Sequence, residues 1–229
     1  MSEQALGVPP PPIQKPFAPG ATRLDLPGPD CWPDVKPVTL AQAIQERCSR
    51  RRFSQAPVKL DELAFLLWAT QGIRKQLDNG SALRTVPSAG ARHAFETYLA
   101  VMNVEGVSSG IYRYLPVEHQ LVHVATVPEL AEQLTIAALG QTFCGRSAVT
   151  FIWTAIPHRM EWRYGLASHK VIALDAGHVC QNLYLACEAV GAATCAIAAY
   201  DQDAMDQLIG VDGQEEFTVY VAPVGKKLL

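Results

Sequence analysis

Helical periodicity runs longest through DAGHVCQNLYLACEAVG, residues 175 to 191, where Ala176, Val179, Cys180, Leu183, Ala186, Cys187 and Val190 recur at three- and four-residue steps. Gly191 supplies the stop. A shorter helix is predicted in TLAQAIQERCS, with Thr39 and Gln42 at capping-box spacing, Leu40, Ala43 and Ile44 on one face, and an end near Cys48. LDELAFLLWATQG predicts another from about residue 60 to Gly72, and PELAEQLTIAALG and DAMDQLIG two more. FETYLAVMNV, 95 to 104, is apolar on both alternating faces and so belongs in the middle of a sheet. AVTFIWTA reads as a buried strand, GIYRYLPVEHQLVHV as a hairpin turning at Pro116, and FTVYVAPVG as a closing strand after ATCAIAAY. Helices mixed with hairpin-linked strands predict an α+β fold rather than a doubly wound parallel sheet.

Residues 1–37 follow a different pattern. They hold PPPP, FAPGA and LPGPDCWPD, and they predict an extended arm without regular structure, anchored by Phe17, Leu24, Leu26 and Trp32 on a surface, that of a second subunit included. Residues 38–229 form the globular domain, and a chain that is 49% hydrophobic can fill one substantial core.

With 19 Lys and Arg against 22 Asp and Glu, no overall field draws the chain to nucleic acid or an anionic membrane, so an anion site has to be local. The N-terminus lacks the basic start and apolar centre of a signal peptide, and no apolar run is long enough to span a bilayer; a cytoplasmic location is the expectation. The six cysteines show neither CxxC nor zinc-ligand spacing and read as buried free thiols. His119 and His123 on one strand face lie too far apart, without a third ligand, for a metal.

The local anion site has a candidate in RCSRRRF, residues 47 to 53, with four arginines in a chain of net charge -3. Arg47 and Arg51 are four apart and project together if the helical turn persists, with the Ser49 hydroxyl and backbone N–H between them, which makes a three-point phosphate clamp. Charge runs usually face water, so a solvated basic edge is the alternative. Crowded like charges oppose one another by up to ~4 kcal/mol at an effective dielectric near 20, which favours a bound anion beside them. Nothing else in the chain supports a nucleic-acid patch.

Arg47-x-Ser49-x-Arg51-x-Phe53 resembles the signature with which nitroreductase-like flavoproteins hold the phosphate of FMN. LLWATQGI at 66 to 73, RTVPSAGARH at 84 to 93, the stretch 175 to 201 and YVAPVGKK at 220 to 227 follow in the family's order. PSAGA followed by GIYRY is most similar to the SagB-type branch, which includes azoline dehydrogenases of modified-peptide biosynthesis. The resemblance implies a homodimer with a mostly antiparallel sheet wrapped by helices, two FMN sites at the subunit interface, and helix 175 to 190 packed there. It further implies that Arg47, Ser49 and Arg51 clamp the phosphate, that Pro87, Ser88, Ala89 and Ala91 meet the flavin from the partner subunit, and that Ala198 and Ala199 lie along the ring. Lys226 or Lys227 stands where a late basic residue reaches the phosphate.

Flavin carries the electron chemistry, with NADH or NADPH as a candidate donor and a small organic molecule or peptide heterocycle as substrate, through a two-electron ping-pong cycle. Arg84 and Arg92 flank PSAGA and are candidates to stabilise an anionic reduced ring; His93 is a candidate proton donor, and His178 reads as an interface histidine. WRYG places Arg163 and Tyr164 where azoline dehydrogenases carry a Lys-Tyr pair. Arginine stays protonated and cannot act as a base, whereas Tyr164 can donate or relay a proton. The alternatives are packing roles for Trp162 and Tyr164, and a flavin-binding carrier or partner subunit without catalysis.

Overall fold

The computed structural model describes residues 2–228. Its frame is a seven-stranded sheet in the order β1-β6-β5-β4-β7-β9-β8, with β1 (Arg23–Asp25), β4 (Phe95–Val101), β5 (Gly110–Leu115), β6 (Gln120–Ala125), β7 (Val149–Ala155), β8 (Ala192–Thr194) and β9 (Phe217–Lys226). Every neighbouring pair runs antiparallel. A separate two-stranded ribbon pairs β2 (Ile73–Gln76) with β3 (Ala82–Arg84).

The strands apolar on both faces are central, as their pattern requires: every residue of β4 and β7 is buried. Phe95, Leu99, Phe151 and Trp153 point into one core, beneath α2 (Leu60–Gln71) and α6 (Ser168–Ala189). Tyr98, Ala100 and Ile152 point into the other, beneath α3 (Leu130–Ala137), α4 (Thr142–Gly145) and α7 (Gln202–Ile209). The result is α+β, with helices on both faces of an antiparallel sheet.

Local signals set several ends. Thr39 Oγ1 accepts the Gln42 N–H at the start of α1 (Leu40–Glu46), and Asp201 does the same for α7 through the Ala204 N–H. The predicted hairpin is β5 and β6, with Pro116 in its turn. His119 also lies in that turn, with φ 54°, so it does not share a strand face with His123; its ring bonds the Tyr114 hydroxyl and the Pro27 carbonyl.

Three expectations are corrected. The arm is not wholly irregular, because Arg23–Asp25 joins the sheet as its outermost strand, and the arm lies along its own chain. The long helix begins at Ser168, seven residues before its clear periodicity, following α5 (His158–Tyr164) through a 3-10 turn. Of the six thiols, Cys144, Cys180, Cys187 and Cys195 are buried, whereas Cys31 and Cys48 are exposed.

Candidate functional site

The arginine stretch leaves α1 in a conformation its spacing did not predict. The helix ends at Glu46, and Arg47 already has φ -54° and ψ 121°. The chain then runs extended beside β8, where Ser49 bridges Thr194, the Arg50 N–H donates to the Thr194 carbonyl at 3.0 Å and the Ser54 N–H to the Lys226 carbonyl at 2.9 Å. Phe53 keys this segment to the sheet: a Cβ on Gly225 would stand 2.7 Å from its ring. Helical adjacency of Arg47 and Arg51 is therefore lost, and the two guanidiniums are placed by an extended segment instead. Arg47 lies 5.4 Å over the Tyr184 ring, the Ser49 and Tyr184 hydroxyls are 2.9 Å apart, and Arg51 lies 5.7 Å over Phe143.

Neither Arg47 nor Arg51 has a carboxylate within 4.0 Å among the described residues, whereas Arg50 approaches Glu188 at 3.8 Å. Tyr184 ties this segment to the next by accepting the Ala196 N–H at 2.9 Å. Ala198 and Ala199 follow there, both exposed, with the Ala199 carbonyl held by Gln141 at 2.7 Å. Small side chains leave this backbone open to a flat group. Lys226 and Lys227 are spent elsewhere: Lys226 donates to Glu62 and the Val190 carbonyl, and Lys227 to Glu188.

The second cluster is PSAGA. Gly90, Ala91 and His93 have φ of 59°, 53° and 50°, so two residues with a Cβ occupy the left-handed region within four positions, each at a cost of about 1–2 kcal/mol. Buried polar contacts hold them there. Asp175 on α6 accepts the Ala89 N–H with both carboxylate oxygens at 3.3 Å, and Ser88 Oγ accepts the His93 N–H at 2.9 Å. Burial pushes the Asp175 carboxyl above its ordinary pKa, against the hydrogen bonds from Ser88 and Ala89. Such strain recurs at functional sites.

Over this loop sits the other predicted pair. A Cβ on Gly90 would lie 2.8 Å from the Tyr164 hydroxyl and 2.9 Å from Arg163 Cδ, so these two side chains of α5 rest against Gly90 and would have to move for any side chain there. Arg163 is exposed and its guanidinium lies 5.7 Å from the Tyr164 ring. The structure thus brings the loop around Gly90 against 163 and 164, and elsewhere gathers Arg47, Ser49 and the Ala196 N–H, two residues before Ala198, around Tyr184. Asp175 and Tyr184 anchor the two clusters nine residues apart on α6, roughly 13 Å along its axis.

Three neighbouring candidates face elsewhere. Arg84 is 4% exposed and Arg92 is 2% exposed. Arg84 donates to Gln71 and to the Ile13 carbonyl at 2.6 Å, and Arg92 donates to Ser81 and the Pro11 carbonyl, so both guanidiniums are committed to the arm and its surroundings rather than offered to a ring. Burial, aided by the charge of Arg84, lowers the pKa of His93 to about 3, which removes it as an imidazolium donor at neutral pH. His178 is half exposed and 3.8 Å from Asp175. Sequence reasoning missed Tyr184 and Asp175, which organise the two clusters. Their only signal was polarity within an otherwise apolar helical pattern.

A helix-wrapped antiparallel sheet thus carries two arginines without carboxylate partners among the described residues and a strained small-residue loop. Residues 44–226 match the nitroreductase family model, and the chain belongs to that family. It is 30% identical over 196 residues to the MJ1384 protein of Methanocaldococcus jannaschii, described as a candidate nitroreductase, covering 86% of this chain and 95% of that one. In structure it is similar to a candidate nitroreductase from Ralstonia eutropha, with a TM-score of 0.74, 24% identity and 96% and 99% of the two chains covered. It is also similar to a chain of the Escherichia coli microcin synthetase McbBCD complex with truncated pro-MccB17 bound, with a TM-score of 0.65, 19% identity and 94% and 79% covered.

Proposed function

We propose that the protein is an FMN-dependent oxidoreductase of the SagB type, acting as a homodimer on a small organic or peptide-derived substrate. The observation that supports this reading is that Arg47 and Arg51, flanking the exposed Ser49, have no carboxylate within 4.0 Å among the described residues. A dianionic phosphate fits that donor set, and a planar ring fits the uncluttered backbone at Ala198 and Ala199. When bound, FMN supplies the two-electron chemistry, with NADH or NADPH as donor.

The chain's own residues then divide the work. Arg47, Ser49 and Arg51 bind the phosphate; Pro87, Ser88, Ala89 and Ala91 form a wall; Tyr164 holds a proton at its hydroxyl beside that wall; Arg163 keeps a fixed positive charge there. A separation of roughly 13 Å along α6 supports completion of each site by two copies, the clamp of one meeting the loop of the other. Apolar surface beside α6 suits such pairing: a groove of about 560 Å³ is lined by Leu40, Phe65, Trp68, Leu185 and Ala189, and Leu40 and Ile44 are 66% and 56% exposed. Likeness to the complex holding truncated pro-MccB17 supports a peptide-derived substrate.

Purified protein is expected to be yellow, with a bound-flavin absorption spectrum and two flavins per dimer by mass and absorbance. Colourless protein that takes up no added FMN would remove the basis of the reading. A second reading, a flavin carrier without turnover, is favoured by the absence of a side-chain base at Arg163 and of polar groups at 198 and 199. Rapid mixing with NADH and NADPH separates the two, because a carrier leaves its flavin oxidised.

A further inference from the structure

The arm is held by a run of main-chain carbonyls, with Gln14 and Lys15 adding side-chain bonds to Glu118, the Val117 N–H, Tyr98 and Glu216. Between Val8 and Pro16 only Pro11 is buried. Along this stretch the carbonyl of Val8 accepts from Trp162 Nε1 at 2.8 Å, Pro11 from Arg92 at 3.4 Å and Ile13 from Arg84 at 2.6 Å. The carbonyls of Lys15 and Pro16 accept from two nitrogens of Arg113, each at 2.8 Å. One N–H is read in return, that of Lys15, by Glu96 at 2.8 Å. Residues 9–12 are prolines and have no N–H to satisfy.

The floor beneath is unusual for a core. Arg84, Arg92, Arg113 and Arg159 are all at most 4% exposed. Glu96 pairs with Arg113 and Arg159, while Arg84 and Arg92 have no carboxylate partner among the described residues, and the Nε atoms of both are buried without any partner. Fold stability alone is served as well by apolar side chains of that volume. What three of them, Arg84, Arg92 and Arg113, add is a row of donors for the arm's carbonyl oxygens, while Arg159 holds Glu96 in place.

We propose that this trough is a peptide main-chain binding site, that residues 8–16 are its intramolecular occupant, and that it takes an extended, proline-rich peptide from another chain when the arm is displaced. Such a peptide needs carbonyls at the spacing of residues 8, 11, 13, 15 and 16 and a single N–H for Glu96, while the exposed side chains at 8, 9 and 12 are free to vary. The site adjoins α5, because the Arg92 guanidinium lies 4.8 Å from the Trp162 ring. A peptide seated there approaches the helix that carries Arg163 and Tyr164. The proposal stands whether or not flavin binds.

The test uses the full chain with a specific protease site inserted in the exposed turn at Ala18–Gly20, folded and then nicked. Binding of a fluorescein-labelled synthetic peptide of residues 5–18 is followed by anisotropy. The nicked protein is expected to bind it saturably, the uncut protein at least tenfold more weakly, and nicked Arg84→Met at least tenfold more weakly than the nicked parent. A nicked arm that never exchanges, or binding indifferent to Arg84→Met, would overturn the proposal. Lys15→Glu in the uncut chain gives a second route, since Lys15 pairs with Glu216 and bonds the Tyr98 hydroxyl. It should speed hydrogen exchange at the amide of residue 15, the one amide of this stretch held by Glu96, and open the trough to the labelled peptide. Global unfolding of this variant, or exchange no faster than in the parent, would show instead that the arm is a fixed part of the fold.

Discussion

The two halves of the candidate site are built in opposite ways. Around Arg47 to Arg51 the backbone is extended, the side chains are largely open, and Arg47 and Arg51 are left without a carboxylate among the described residues. Around Pro87 to Ala91 the backbone is strained, the polar groups are satisfied by Asp175 and Ser88, and α5 packs down on Gly90. The first region has its energy to gain from a ligand. The second has already spent folding energy to hold a shape, which is the preorganisation expected of a wall rather than a grip.

Removing the grip should give the largest effect. Arg47→Ala with Arg51→Ala deletes two charge-assisted contacts, each worth about 1.5–3 kcal/mol. FMN affinity, followed by flavin fluorescence, should fall at least about 100-fold while the melting temperature stays close to the parent's. A variant that keeps full occupancy would break the comparison at its first term.

The wall should respond in the reverse sense, in stability first. Gly90→Val forces a β-branched residue into a left-handed backbone and displaces the Tyr164 and Arg163 side chains, and should cost roughly 1–3 kcal/mol in chemical denaturation. Asp175→Ala leaves the Ala89 N–H without its acceptor and should cost about 1–3 kcal/mol. An unchanged denaturation midpoint in Asp175→Ala would mean the carboxylate does not hold the loop.

The smallest effect at neutral pH belongs to His93. Its pKa in the folded chain lies at about 3, below the ordinary 6.5, because burial and the charge of Arg84 disfavour the imidazolium. Its contribution is therefore fully present above pH 6.5 and is lost as pH falls towards 3, at up to about 1.4 kcal/mol per pH unit. His93→Asn, which suits the left-handed backbone, should flatten that part of the stability profile. Titration calorimetry of unfolding between pH 7 and 4 measures the slope.

Much of this was legible in the chain because apolar periodicity is a local property. The strands 95–101 and 149–155, the hairpin about Pro116 and the end of α6 all follow from it. The conformation of RCSRRRF did not, because the Thr194 carbonyl on a three-residue strand takes the Arg50 N–H and holds the segment extended, and strands that short leave no pattern. The start of α6 was hidden for a related reason. Residues 168–174 lack a capping side chain and carry exposed Leu174, so their helix continues from the turn before it rather than from a signal of their own. Nor does an arginine beside PSAGA announce that its partners are carbonyls some seventy residues upstream. That arrangement exists only once the arm has been laid across the sheet.

Both margins of the sheet are short. β1 is three residues long and presents exposed Arg23 and Asp25, while β8 is equally short and is flanked by the segment from Ser49 to Ser54. A neighbouring molecule finds almost no bare ladder of amides and carbonyls on which to add a strand. Open-ended growth by strand addition is thereby disfavoured, and the surfaces left for contact with other molecules are mainly helical.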